Sequence, residues 1–289
     1  MGAVDIGTNS MRLLITDGRK EIGRWVEVTG LGRGVDRTGA LSPEGIDESL
    51  AALARYGAIM DEEGVRQRMA IATSAARDAR NRDVFFDLAE SALGVRPRLV
   101  SGVVEARLAF AGATADLDGE PPVVVSDIGG GSTELVTAEA EISVEIGSVR
   151  LTERAIPTRP APDAEMEAAG SLVAELFSGV HLDVGTLIGV AGTWTSLAAI
   201  AQGLPEYSRE RVHGYRMRRS ELERVIDTLA GKTVEETAAI PALDPKRAPV
   251  ILAGALVAHG VIEVLGVDEV LVSEHDTLDG LAMELLAIP

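Results

Sequence analysis

Two short stretches of this chain repeat one another. Residues 5–14 read DIGTNSMRLL and residues 127–136 read DIGGGSTELV, 122 positions apart. Aligned without a gap, Asp5 matches Asp127, Ile6 matches Ile128, Gly7 matches Gly129, Ser10 matches Ser132 and Leu13 matches Leu135. Each copy follows an apolar run, at 2–6 or 122–128, and precedes another, at 11–16 or 133–138. The pattern predicts a strand, a tight turn and a returning strand, with the aspartate where the first strand gives way to the turn. Small residues there leave backbone N–H groups free to point at an anion, and glycine allows close approach. A carboxylate beside such a cradle is a hard ligand suited to Mg²⁺, which binds phosphates through a few carboxylates and retained waters. One such hairpin is ordinarily only a turn. Two with matching flanks predict related lobes that face one phosphate chain across a cleft.

Composition narrows the setting. At 289 residues the length predicts roughly two domains, and 46% hydrophobic content with 3% aromatics implies cores of Ala, Val, Leu and Ile. With no cysteine there is no disulfide, thiolate zinc site or cysteine nucleophile. His181, His213, His259 and His275 lie far apart in sequence and form no metal-binding spacing, so each reads as structural or solvated. The amino terminus runs straight into a strand, with no signal segment, and no apolar run reaches membrane-spanning length. The expectation is a soluble cytoplasmic protein with no membrane partner. A net charge of −18 argues against duplex nucleic acid. Residues 1–117 carry only −2 of it, and there Arg77, Arg80, Arg82, Arg96, Arg98 and Arg107, with Arg12, Arg33 and Arg37, offer a local positive surface to a polyanion. A homodimer is compatible with the sequence, which does not specify oligomeric state.

The elements that must position these residues alternate between strand and helix. A meander at 2–6, 11–17 and 21–28 leads to a Gly-rich loop, 30–39, readable as a lid or an ordinary loop. Ser42 and Pro43 then start a helix whose apolar positions are Ile46, Leu50, Leu53, Tyr56 and Ile59 or Met60. A strand at 69–72, the segment ATSAARDARNR and a helix–strand–helix run to about residue 112 complete the first half, with the strand at 98–100. Gly119-Glu120-Pro121-Pro122 reads as the linker, so the expected domains are 1–118 and 119–289. The second repeats the hairpin, adds a strand at 142–146, and continues with helices near 163–178, 194–202, 220–230 and 247–265 and strands at 186–190 and 269–272. A terminal helix at about 277–287 either stays there or crosses back to the first lobe. The fold class is α/β with mixed sheets.

These residues resemble the exopolyphosphatase/guanosine pentaphosphate phosphatase (Ppx/GppA) family along essentially the whole chain. The resemblance rests on DIGTNSMRLL, GLGRGVDRTGALS, ATSAARDARN, SGVVEARLAF, DIGGGSTEL, GVAGTWTSLAA and DPKRAPVILAGALV, in that order. It implies two ribonuclease-H-like lobes of the actin, Hsp70 and sugar-kinase superfamily around a central cleft. It further implies that Asp127 and Glu134, with Asp5 opposite, hold Mg²⁺ or Mn²⁺. Gly7, Thr8, Asn9 and Ser10 form one phosphate cradle, and Gly129, Gly130, Gly131, Ser132 and Thr133 the other. Arg77, with Arg12, is placed on phosphate, and Glu105 falls on the catalytic glutamate, with Asp127 as the second catalytic carboxylate. Two departures stand out: Val104 replaces the first of two adjacent acids, and Leu278 replaces an arginine before Asp279 and Gly280. The chain also matches a short form without the C-terminal HD-like domain, which implies shorter substrates or lower processivity.

Phosphoanhydride hydrolysis requires the terminal phosphoryl in line with a water and its negative charge neutralised. Glu105 would orient or deprotonate that water. Ser10 and Ser132 are not read as nucleophiles, because neither sits in Gly-x-Ser-x-Gly and no histidine is linked to them. Gly231-Lys232-Thr233 mimics the end of a P-loop, but Ile226 stands where its first glycine is required. The leading expectation is a Mg²⁺-dependent exopolyphosphatase acting on inorganic polyphosphate. Guanosine pentaphosphate phosphohydrolysis ((p)ppGpp as partner) is the nearest rival. A kinase-like ATPase with an adenosine pocket near Trp194 and a non-catalytic phosphate or alarmone sensor are the more distant ones.

Overall fold

The computed structural model of the chain describes residues 1–117 and 119–287. Two compact units emerge, one from Met1–Gly112 with the segment beginning at Thr277, the other from Ala113–Asp276. No helix among the described residues is long and apolar enough to cross a membrane.

The first unit opens with the predicted meander, β1 (Gly2–Ile6), β2 (Ser10–Thr16) and β3 (Glu21–Val28). It continues through α1 (Val35–Thr38), α2 (Pro43–Glu62), β4 (Arg68–Ala72), α3 (Ser74–Asp78), α4 (Arg82–Leu93), β5 (Arg98–Leu99) and α5 (Gly102–Ala113). Its sheet has the order β3-β2-β1-β4-β5, antiparallel through the meander and parallel from β1 to β4 and β5. Helix α2 starts where its sequence says it should. The Ser42 hydroxyl accepts from the Gly45 N–H at 3.0 Å, and Pro43 fills the first helical position, where no N–H is needed. Leu53, Tyr56 and Met60 bury one face of the helix. The Tyr56 hydroxyl donates to the Met11 carbonyl at 2.9 Å, pinning α2 to the strand that leaves the first turn. Burial pushes that phenol well above its ordinary titration range.

In the second unit the same meander recurs as β6 (Val123–Ile128), β7 (Thr133–Val136) and β8 (Glu141–Val144). Then follow α6 (Ser148–Ala155), α7 (Asp163–Phe177), β9 (Thr186–Val190), α8 (Ala191–Ala201), α9 (Arg209–Val212), β10 (Arg216–Arg218), α10 (Arg219–Ala230), α11 (Val234–Ala238), α12 (Ile251–Leu265) and β11 (Glu269–Val272). The sheet order is β10-β11-β9-β6-β7-β8. Read from β8, the run β8-β7-β6-β9-β11 repeats β3-β2-β1-β4-β5, so the ten-residue repeat extends to whole sheets. This is the ribonuclease-H-like arrangement in each unit. Strands β6, β9 and β11 are parallel neighbours with nearly every residue buried, as Val/Ile-rich central strands require.

The terminal helix α13 (Thr277–Ala287) belongs to the first unit. Leu278, Leu281 and Leu285 join Ala3, Leu14, Ile71 and Leu108 in one buried cluster. The expected boundary at 118/119 falls later than the division in the structure, and the terminal helix takes the expected alternative of crossing back to the first unit. The chain divides at 112/113, and the apolar face of α13 is complementary to the first sheet. Residues 118, 288 and 289, which fall within the expected domains, lie outside the described residues. Leu278 is fully buried and Asp279 accepts from Arg24 at 3.2 Å. The position expected to lose a basic contact of the second lobe is thus core of the first. Gly280 permits this packing, because a Cβ there would sit 2.1 Å from the Leu108 carbonyl oxygen. Gly280→Ala should lower stability by about 1–3 kcal/mol, opposite in sign to the roughly 1 kcal/mol that alanine adds in an open helix. Urea unfolding measures the difference, and a raised midpoint would contradict the close approach of α13.

Candidate active site

In the β1–β2 turn the Gly7 N–H donates to the Ser10 carbonyl at 3.0 Å. The other carbonyls are drawn backwards: Thr8 O accepts from Gly32 N–H at 2.8 Å, and Asn9 O accepts from Thr29 and Gly30 N–H, each at 3.0 Å. The Thr8 hydroxyl accepts from the Ala75 N–H at 3.1 Å, which fastens the ATSAAR segment to the turn. With the Thr8 and Asn9 carbonyls engaged, the turn leaves the N–H groups of the same two residues without a hydrogen-bond partner among the described residues. The 30–39 loop, expected as a possible lid, is strapped to the turn by these bonds and serves as its brace.

The β6–β7 turn is built the same way. Gly129 N–H donates to Ser132 O at 3.0 Å. The start of α6 takes the carbonyls, with Ser148 N–H on Gly129 O at 3.0 Å and Val149 and Arg150 N–H on Gly130 O at 2.9 and 3.0 Å. Gly147 makes the contact possible, since a Cβ there would lie 2.6 Å from Gly129 O. The N–H groups of Gly130 and Gly131 likewise have no hydrogen-bond partner among the described residues. Each of the two turns expected as a cradle thus has two backbone amides with no hydrogen-bond partner among the described residues. Helix α6, which secures the second, was not anticipated from the sequence. Thr133 departs from its expected role, because its hydroxyl is buried and donates to Ile146 O at 2.7 Å. Thr193, at the start of α8, donates to Ile128 O at 2.9 Å and braces the strand end from the other side.

The two hairpins differ in their charges. In the first, Asp5 faces Arg12 across the β1–β2 register, and Arg12 Nε donates to Asp5 Oδ2 at 2.9 Å. Both groups are largely buried, so the guanidinium neutralises the carboxylate within the hairpin. Arg12, expected on phosphate, and Asp5, expected on metal, hold each other. In the second, Glu134 stands where Arg12 would be, opposite Asp127 on the same face of the sheet. Asp127 and Glu134 are 4% and 1% exposed. Two buried carboxylates side by side require a cation or a proton to offset them. Among the described residues no group of three or more His, Asp or Glu side chains forms a metal cage by itself. A pair suits Mg²⁺, which takes one or two carboxylates and fills its octahedron with water and phosphate oxygen.

Glu105 lies in the first turn of α5 and is 9% exposed. Arg77, at the end of α3, donates to Glu105 Oε2 at 2.8 Å and to Val100 O at 3.1 Å. Two residues 28 positions apart thus form one unit. Val104, the departure beside it, packs against the first unit's apolar cluster, where a carboxylate would be stranded. The other expected arginines do not gather. Arg96 pairs with Asp87 and Glu90, Arg98 lies 3.8 Å from Glu284, Arg80 donates to Thr38 O, Arg82 donates to Arg77 O, and Arg33, Arg37 and Arg107 are exposed. Trp194 is fully buried and donates to the Ser126 hydroxyl at 3.2 Å, which leaves no face for adenine. His213 and His275, distant in sequence, meet with ring centroids 5.1 Å apart, each 3.2 Å from an Asp116 carboxylate oxygen. Their cluster ties together segments of the second unit and touches neither turn.

Residues 17–287 match the model of the Ppx/GppA phosphatase family. The chain is 39% identical to exopolyphosphatase 2 of Mycobacterium tuberculosis over 99% of its own length and 98% of the relative's. It superposes on the crystal structure of an exopolyphosphatase-like protein with a TM-score of 0.93 at 34% identity, covering 98% of this chain and 97% of that one. With the Aquifex aeolicus Ppx/GppA family member the TM-score is 0.81 at 30% identity, over 100% and 98% of the two chains. Matched by the family model over residues 17–287 and by relatives along nearly all of its length, the chain belongs to the Ppx/GppA phosphatase family.

Proposed function

We propose that this protein is an exopolyphosphatase that removes the terminal phosphate of inorganic polyphosphate by hydrolysis. The observation that carries the reading is the matched construction of the two turns. In each, a following segment engages two of the turn's carbonyls, those of Thr8 and Asn9 in one and of Gly129 and Gly130 in the other, and the amides of Thr8 and Asn9, and of Gly130 and Gly131, are available to anionic oxygen. Polyphosphate presents a regular row of such oxygens. The similarity to proteins named exopolyphosphatase supports the same substrate.

In this reading the chain's residues have separate tasks. The amides bind non-bridging oxygens and hold the terminal phosphoryl in position. Glu105 accepts a proton from water as the water oxygen bonds to the terminal phosphorus and the bridging P–O bond breaks. The products are orthophosphate and a chain shorter by one unit. Arg77 fixes the Glu105 carboxylate through its 2.8 Å hydrogen bond. Asp127 and Glu134 would hold Mg²⁺ or Mn²⁺, which supplies charge neutralisation on the phosphate oxygens. Arg12 holds Asp5 in place through the hydrogen bond from its Nε.

Phosphate release from polyphosphates of several lengths and from guanosine pentaphosphate, with and without Mg²⁺, tests the proposal. Release from polyphosphate that stops when the divalent ion is chelated is the expected result. Preference for guanosine pentaphosphate would select the rival substrate, and tight binding without turnover under any divalent ion would make the protein a sensor. Glu105→Gln should reduce turnover by about 10²–10⁴-fold with little change in polyphosphate binding; full activity in that variant would remove Glu105 from the mechanism. Arg12→Met leaves Asp5 buried without its counter-charge and should destabilise the protein by about 3–5 kcal/mol. Equal unfolding midpoints for Arg12→Met and wild type would mean that Asp5 does not depend on this pair.

A further inference from the structure

We propose that Ser143 is a positioning residue for Glu134, orienting its carboxylate for a divalent cation; this rests on reading Asp127 and Glu134 as the cation's ligands. The register places the three side by side. Asp127 on β6 pairs with Glu134 on β7, and Glu134 pairs with Ser143 on β8, so all three project from one face of the sheet. The Ser143 hydroxyl donates to Glu134 Oε1 at 3.0 Å. Glu134 is buried while Ser143 is exposed at the sheet's edge strand. A serine at this edge is not needed to fill the core, and the bond it makes restrains the terminal torsion of the Glu134 carboxylate.

The first hairpin is an internal control for the assignment. There the corresponding row is Asp5, Arg12 and Val26. The charge is closed between the first two strands, and the third position carries no hydrogen-bonding side chain. In the second hairpin the arginine's position holds a carboxylate, and the valine's position holds a hydroxyl bonded to it. The hydroxyl thus occurs in the row that carries two paired carboxylates and no arginine. A ligand carboxylate held by an outer hydrogen bond keeps its orientation when the cation leaves, and loss of such outer bonds commonly weakens metal binding by about 10–100-fold.

Mn²⁺ binding to the intact, substrate-free protein, followed by the loss of the free-ion EPR signal, tests the inference without recourse to activity. Wild type, Ser143→Ala, Ser143→Thr and Glu134→Gln are compared, alongside thermal unfolding of each metal-free protein. The expected result is a Kd raised about tenfold in Ser143→Ala, near wild type in Ser143→Thr, and lost binding in Glu134→Gln, with similar unfolding temperatures for the two Ser143 variants. Unchanged Mn²⁺ affinity in Ser143→Ala while Glu134→Gln abolishes binding would overturn the role of Ser143 alone. Affinity unaffected by Glu134→Gln, or no binding by wild type, would overturn the cation site and Ser143's role with it.

Discussion

A carboxylate buried at the end of a strand must meet a positive charge or take up a proton. This chain places such a group twice, at Asp5 and at Asp127, and gives the two different neighbours. Asp5 receives a guanidinium from the neighbouring strand. Asp127 receives a second carboxylate, Glu134, at the equivalent register position. The same backbone register therefore carries an arginine beside the aspartate in one hairpin and a glutamate beside it in the other.

The amides depend on the same economy of the backbone. A tight turn is an anion site only if its carbonyls point elsewhere, because carbonyl oxygens repel phosphate. Gly30 and Gly32 perform that service for the first turn, and the first residues of α6 for the second. The braces are unrelated in structure, one a loop and the other a helix start. Their equivalence lies in the hydrogen bonds that they donate. Glu105 and Arg77 stand outside the repeated ten-residue string, on α5 and α3 of the first unit.

Much of this was legible before the fold was known. The repeated string located both turns, and buried runs such as TLIGV gave β9 its bounds because central parallel strands have no polar face. The cap at Ser42 fixed the start of α2 for equally local reasons. What escaped was long-range or dependent on pairing. Arginines close in sequence suggested a positive surface, yet Arg96 and Arg12 found carboxylates nearby and Arg77 found Glu105 across 28 positions. Thr133 looked like part of a cradle, but its side chain faces the interior, where Ile146 O accepts from it. Helix α6 is short and polar, with too few turns to declare a period, and the meeting of His213 with His275 follows from β10 and β11 pairing, which no local pattern announces.

The central claim is that each turn, through Thr8 and Asn9 in the first unit and Gly130 and Gly131 in the second, offers its backbone amides to phosphate oxygens. Amide ¹H–¹⁵N spectra recorded while tripolyphosphate and Mg²⁺ are added to the Glu105→Gln protein address it directly. Large downfield shifts of Thr8, Asn9, Gly130 and Gly131, saturating together, are the predicted result. Saturable binding that leaves those four resonances unmoved would contradict the account.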